Sequence, residues 1–230
     1  MIRLAFFFLA ATLLSAQAAA PEVEITAEPH HHLVLENAEI RAFYVDVVPH
    51  ANTLMHWHRH DYIYVMFGAS QVVNAVAGKG PVTIQLQDGQ AGFTAGAFAH
   101  VVRNQDQPFR NLTIEILDDA KLRQSAARSD KEWDEDRGLD ILQGGTRQVL
   151  FVKDGIRVTE FELQPGGVVP MHHHAGPHLL VAVSDLEIRS EAEVPDHFKS
   201  GDAKWFPGGY SHSITNVGSH PAKFVTLEFP

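Results

Sequence analysis

The sequence predicts an all-β protein made of two like domains, each a sandwich or barrel. Two observations carry this: a long internal repeat, and short β-rich segments closed by Gly/Pro turns. Length agrees, since 230 residues suit two small domains at ~100–200 residues or fewer apiece.

The repeat is read by laying residues 40–58, IRAFYVDVVPHANTLMHWH, over residues 156–174, IRVTEFELQPGGVVPMHHH. The offset is 116 with no gap, and it matches Ile40, Arg41, Pro49, Met55, His56 and His58 with Ile156, Arg157, Pro165, Met171, His172 and His174. Further on the offset falls to 112 and pairs Gly89, His100 and Asn104 with Gly201, His212 and Asn216. Both copies close on an alternating strand, LTIEI at 112–116 and FVTLEF at 224–229. A shared register over this many positions indicates duplication.

Taken in order, residues 1–20 show Arg3, an apolar run over 4–14 and a small-residue end, Ala16-Gln17-Ala18. That is the pattern of a cleaved secretory signal. The run of 11 residues is short of the ~20 that span a bilayer. A periplasmic or secreted protein is expected, without a membrane span after cleavage. Strands are expected near 42–48, 63–67, 82–87, 158–163 and 179–183, rich in Val, Ile, Phe and Tyr. Turns fall at Gly78-Lys79-Gly80-Pro81, Gln164-Pro165-Gly166-Gly167 and Pro207-Gly208-Gly209. The first domain occupies 21–117 and the second 147–230. Between them, 118–146 reads as a charged connector with a short helix at 121–128.

Composition narrows the chemistry. The formal charge is −10, with no basic block, which speaks against nucleic acid. There is no cysteine, so disulfides, thiolate nucleophiles and Cys-ligated metals are excluded. The 15 histidines are the place to look. In the second copy His172 and His174 alternate on a strand and so share a face. Pro207-x-Gly209 sets a turn that can bring His212 alongside. Convergent imidazoles in a barrel suit a first-row metal. His173 points away, and His30, His31 and His32, outside both motifs, read as an edge-strand or surface run.

This spacing resembles the two motifs of the cupin superfamily. The second copy has the Gly, five residues, Pro-x-Gly, two residues, His, three residues, Asn pattern in full, from Gly201 to Asn216. It also has Gly166, His172 and His174 of the His-x-His motif. His178 stands where the family has a Glu ligand. The first copy is worn: Ala95 and Ala97 replace Pro and Gly, and His50 replaces the leading Gly. Its fourth position is open between Tyr62, favoured by strand parity, and Asp61, favoured by charge, with His60 a third contender. The resemblance implies two tandem cupin barrels, jelly rolls also described as double-stranded β-helices, over nearly the whole mature chain. It implies metal ligands His172, His174, His178 and His212, and a weaker set His56, His58 and His100 with Tyr62 or Asp61.

Four neutral imidazoles leave a divalent ion a formal charge near +2, whereas a carboxylate ligand lowers it to about +1. A small anionic or diketone-like ligand is therefore expected. Within the family, all-His ligation implies a non-haem iron-type dioxygenase, with Fe first and Mn, Ni, Zn or Cu as other metals. The alternatives are a non-catalytic metal or small-molecule binder and a non-oxidative, decarboxylase- or isomerase-like bicupin. Arg41 and Arg157, matched between the copies, suit a substrate carboxylate or an exposed strand position. A homodimer through barrel edges is a further expectation.

Overall fold

A computed structural model describes residues 22–117, 138–190 and 194–230. The leader, the short helix and the charged run of 130–137 lie outside the described residues. The first half runs β1 (Val23–Glu24), a 3-10 turn (Ile25–Ala27), β2 (His31–Glu36), β3 (Ile40–Val47), β4 (His56–His58), β5 (Tyr62–Met66), β6 (Ser70–Val76), β7 (Val82–Leu86), β8 (Ala91–Thr94), β9 (Phe98–Asn104) and β10 (Phe109–Ile116). The second runs β11 (Leu139–Lys153), β12 (Ile156–His174), β13 (His178–Ala182), β14 (Leu186–Arg189), β15 (Asp196–Phe198), β16 (Ala203–Phe206), β17 (Tyr210–Asn216) and β18 (Ala222–Glu228). The all-β class and the two tandem jelly-roll barrels are as expected from sequence.

The first barrel folds two sheets face to face, ordered β1-β4-β9-β6-β7 and β2-β3-β10-β5-β8. The second is one curled sheet, β15-β14-β17-β12-β18-β13-β16, with β11 beside β12. In it the long β12 pairs with β18 along its first half and with β17 along its second, across a bulge between Val169 and His172. β11 starts inside the stretch that sequence assigned to the connector. Asp154 and Gly155, both at positive φ (50° and 80°), close its hairpin with β12, the two-residue turn that matches strand twist.

The largest apolar cluster lies between the barrels. Ile40, Ala42, Ile63, Val65, Phe67, Leu112, Ile114 and Ile116 from the first half meet Ile156, Val158, Leu179, Val181, Val183, Val225, Leu227 and Phe229 from the second. These are the same eight positions in the two repeats, so the halves meet as subunits of a twofold dimer do. Gly201 lets them close: a Cβ there would lie 2.5 Å from Tyr44 of the other barrel. The alternate residues of these strands face the barrel interiors. Inside, the second barrel packs Phe161, Leu163, Leu180, Phe198, Phe224 and neighbours. The first packs a smaller interior cluster of Met66, Val72, Leu86 and Val102, with Phe43, Val45 and Val47 of β3 also buried on its inward face.

Removing one seam side chain should therefore weaken both halves together. Leu227→Ala, at a fully buried site, is expected to cost about 2–5 kcal/mol. Urea unfolding followed through Trp57 and Trp205 should stay a single transition. Two separate midpoints would show that the seam does not couple the barrels.

Candidate metal centres

In the first barrel, β4 supplies His56 and His58 and β9 supplies His100, with His56 directly opposite His100 in the ladder. All three are buried. Their Nε2 atoms form a triangle with sides of 3.2, 3.1 and 3.0 Å. His56 Nδ1 donates to the Leu54 carbonyl at 2.9 Å, and His100 Nδ1 donates to Asn74 Oδ1 at 2.7 Å. Those bonds assign both rings a tautomer with a bare Nε2. Two lone pairs then face each other at 3.0 Å, and a proton on His58 Nε2 can serve only one of them. The buried Nδ1 of His58 has no partner. Such a triangle fits a cation: at a metal–nitrogen distance of ~2.1 Å, ligands at right angles stand ~3.0 Å apart.

Tyr62 and Asp61 separate at this point. Tyr62 lines the cavity and stacks on His58 at 4.4 Å between centroids. Burial, partly opposed by a hydrogen bond with Thr94, pushes its phenol up to about 12, so it is protonated at neutral pH. Asp61 accepts the Gly96 N–H at 2.8 Å and is absent from the cavity wall, as is His60.

Sequence reasoning missed His31. β2 is the edge strand expected there, but His31 pairs in register with Val45, whose side chain lines the cavity. The His31 ring turns inward with 5% of its side chain exposed. Ligand nitrogens of His31, His56 and His58 lie within 4.8 Å of one another. The surface reading thus fails for His31, because alternation along β2 turns it into the barrel. Three histidines in a row always place the middle one opposite its neighbours in a strand, and that was the available signal.

In the second barrel His172 stands opposite His212. Ligand nitrogens of His172, His174 and His212 lie within 4.8 Å of one another. His174 and His212 present Nε2 atoms 3.1 Å apart. His172 Nδ1 donates to the Pro170 carbonyl at 2.8 Å, repeating the His56–Leu54 bond. His178 is brought against this trio but not into it. Its ring stacks between His174 (3.9 Å) and Phe206 (4.9 Å), and its Nε2 is 3.4 Å from the Tyr210 hydroxyl. His173 faces outward, bonded to Ser211.

A carboxylate backs the second site and a matched one stands opposite Tyr62 in the first barrel, and neither was singled out from sequence. Glu228 Oε1 is 2.7 Å from His174 Nδ1, too bent to count as a hydrogen bond, since that Nδ1 has no partner in hydrogen-bond geometry. Burial raises the Glu228 carboxyl, but His174 and Arg157 outweigh it and hold it below the usual range. Glu115 takes the same place in the first barrel, opposite Tyr62 as Glu228 is opposite His178. Arg41 donates to Glu115 Oε2 through Nη2 at 2.6 Å and Nε at 3.0 Å. Arg41 is therefore committed to a buried partner rather than offered to a substrate. The matched Glu in both closing strands, opposite the matched Arg, was the legible sign.

Each site opens into a cavity, about 590 Å³ in the first barrel and about 340 Å³ in the second. The first is walled by Asn74, Asn111, Thr113, Tyr64 and Phe98, with Lys79 at its rim. The second includes Arg147, Arg157, Met171 and Phe206. Trp57 lies outside, under Arg59.

No protein-family model and no curated protein matches the sequence. Solved structures do match in fold. Oxalate decarboxylase of Lactobacillus farciminis, in a formate complex, superposes with a TM-score of 0.60 at 15% identity, covering 84% of this chain and 78% of that one. Oxalate decarboxylase of Bacillus subtilis at pH 4.6 gives 0.59 at 12%, over 84% and 68%. The same enzyme, in work on its Mn(II) centres, gives 0.57 at 12%, over 86% and 75%. The chain thus has the two-domain cupin fold.

Burial, with mutual repulsion, lowers these imidazoles from 6.5, His56 and His212 to about 4 and His100 and His178 to about 3. The folded metal-free protein keeps them neutral, whereas the unfolded chain takes up protons below about 6.5. Its stability should hold above that pH and decline as pH falls through about 4. Urea midpoints of the metal-free protein at pH 7.5, 5.5 and 4.5 test this. A midpoint that does not drop would show that the imidazoles are not buried neutral.

Proposed function

We propose that the protein is an exported bicupin that holds a divalent first-row metal ion in each barrel and takes a small anionic oxygen-donor ligand there. The single observation that carries this is the triangle of Nε2 atoms at the base of an open cavity. His56, His58 and His100 would hold one ion and His172, His174 and His212 the other, with His178 beside the second. When bound, the ion supplies Lewis-acid polarisation of a ligand oxygen, and in the case of iron access to dioxygen chemistry. Iron is one candidate metal, and the Mn(II) of the B. subtilis structural neighbour makes manganese the other.

The protein's own groups do the rest. Leu54, Pro170 and Asn74 fix the tautomers of His56, His172 and His100. Neutral imidazoles preserve the full charge of the ion, which favours an anion. Lys79 at the first rim adds to that attraction, whereas in the second cavity Arg147 is paired with Asp140 and Arg157 faces Glu228. Tyr62 holds its proton and walls the first site. The reaction class we favour is dioxygen-dependent cleavage of a small chelating acid. A second reading, non-oxidative decarboxylation of such an acid, draws support from the oxalate decarboxylase neighbours. A non-catalytic binder is the third. Periplasmic or extracellular residence and self-association through barrel edges belong to the same proposal.

Metal-free protein supplied with Fe(II), Mn(II), Ni(II) or Zn(II) and then freed of excess should carry two ions per chain. His100→Ala and His212→Ala should each remove one, and His173→Ala neither. Fewer than about 0.1 ion per chain with every metal would overturn the proposal. With the loaded protein and small acids, oxygen uptake marks the first reading. CO₂ release without oxygen marks the second, and tight retention without turnover the third.

A further inference from the structure

The worn motif of the first barrel leaves its fourth ligand position to a phenol, yet a fourth imidazole reaches the site from elsewhere. We infer that His31 is a metal ligand of the first barrel, set in place by the buried carboxylate of Glu28. This rests on the metal reading above.

His31 Nδ1 lies 2.6 Å from Glu28 Oε2. That bond occupies Nδ1 and leaves Nε2 as the bare donor. Glu28 is 1% exposed and does nothing else a surface carboxylate would do. Its Oε1 accepts the Leu54 N–H at 3.1 Å and its Oε2 the His30 N–H at 2.9 Å. Burial raises its carboxyl, but the bonds from His31, Leu54 and His30 hold it below the ordinary value. A carboxylate this well held fixes the tautomer and orientation of the ring it touches and raises that ring's basicity, the usual support of a ligating histidine. The His31 ring centroid is 4.7 Å from that of His56 and 6.2 Å from that of His58.

The carrier is a strap over residues 22–32. It is sewn to β4 by the parallel pairing of Val23 and Glu24 with His56 and Trp57, by the Val23 N–H to the Met55 carbonyl at 2.9 Å, and by Glu28 to Leu54. The strap thus touches the backbone on both sides of the first ligand. The second barrel shows the converse. Arg147 pairs with Phe161 as His31 pairs with Val45, so an arginine stands at the His31 position. There His178 stands at the Tyr62 position. Each barrel has one extra imidazole next to its trio, delivered from opposite sides.

The test titrates metal-free full-length protein carrying His212→Ala, which silences the second site, with Mn(II) or Co(II) alone by calorimetry. Glu28→Gln is expected to weaken binding by on the order of 10–100-fold, and His31→Ala at least as much. His32→Ala, at the exposed next position of β2, should leave the affinity unchanged. The Co(II) visible spectrum should change with His31→Ala and not with His32→Ala, a readout that a purely structural role would not move. His31→Gln, which can still bond Glu28, replaces His31→Ala if the latter does not fold. Unchanged affinity and spectrum in both His31 variants, with binding abolished by His100→Ala, would overturn the role of His31 and leave the metal reading intact. Binding by wild-type protein but not by the His212→Ala parent would overturn the first-barrel site with His31 in it, and no binding by wild-type protein would overturn both readings.

Discussion

The apolar seam between the barrels is the contact on which the rest of the molecule depends. A barrel that keeps its centre for imidazoles and a cavity has little interior left for packing. The first barrel is the extreme case, with a four-residue apolar cluster inside, against sixteen residues in the seam, and a cavity of about 590 Å³. Cohesion has to come from elsewhere, and small units bury too little surface to stand alone. The seam supplies it, with sixteen buried apolar residues on six strands and the positions just after three of them. Because those strands are buried on both faces, His178–Ala182 is buried at every position and reads as a continuous apolar run rather than an alternating one.

The seam also fixes the sites. β3, β5 and β10 turn Ile40, Ile63 and Leu112 outward into the seam, so their alternate residues must point inward. Tyr62 and Glu115 are inward for that reason, as are His178 and Glu228 on β13 and β18. A one-residue slip would move every apolar side chain out of the seam. The inward carboxylates are held in place by packing on the far side of the same strands.

Much of this was legible because duplication prints each constraint twice. Gly201, His212 and Asn216 have partners at Gly89, His100 and Asn104, and the strand ladder follows that register. What was not legible involves contacts between segments distant in sequence. Nothing local to Asp61-Tyr62 says which faces inward; the pairing of Tyr62 with Glu115 decides it. Nothing local to His31 says that β2 lies on β3, and only that pairing converts a histidine run into one inward ring. Arg41 looked available because its partner is far along the chain, in β10. His178 looked equivalent to its trio because spacing carries no ring orientation, and in the fold it stacks on His174 instead.

A worn motif is therefore a poor guide to a worn site. The first copy lost the Pro and Gly of its turn, yet Ala97 still adopts a positive φ of 63°, and His100 still reaches its place opposite His56. Glycine makes that backbone state easier but does not own it. The fourth ligand position changed more deeply. A phenol pushed up to about 12 carries no charge at neutral pH and offers a weak donor, so ligation through Tyr62 would first have to remove its proton. His31 avoids that cost, because its Nε2 is bare while Glu28 holds its Nδ1. In this reading drift at one ligand position was compensated by a strand outside the motif. Both barrels would then present neutral nitrogen donors, with no carboxylate among the ligands.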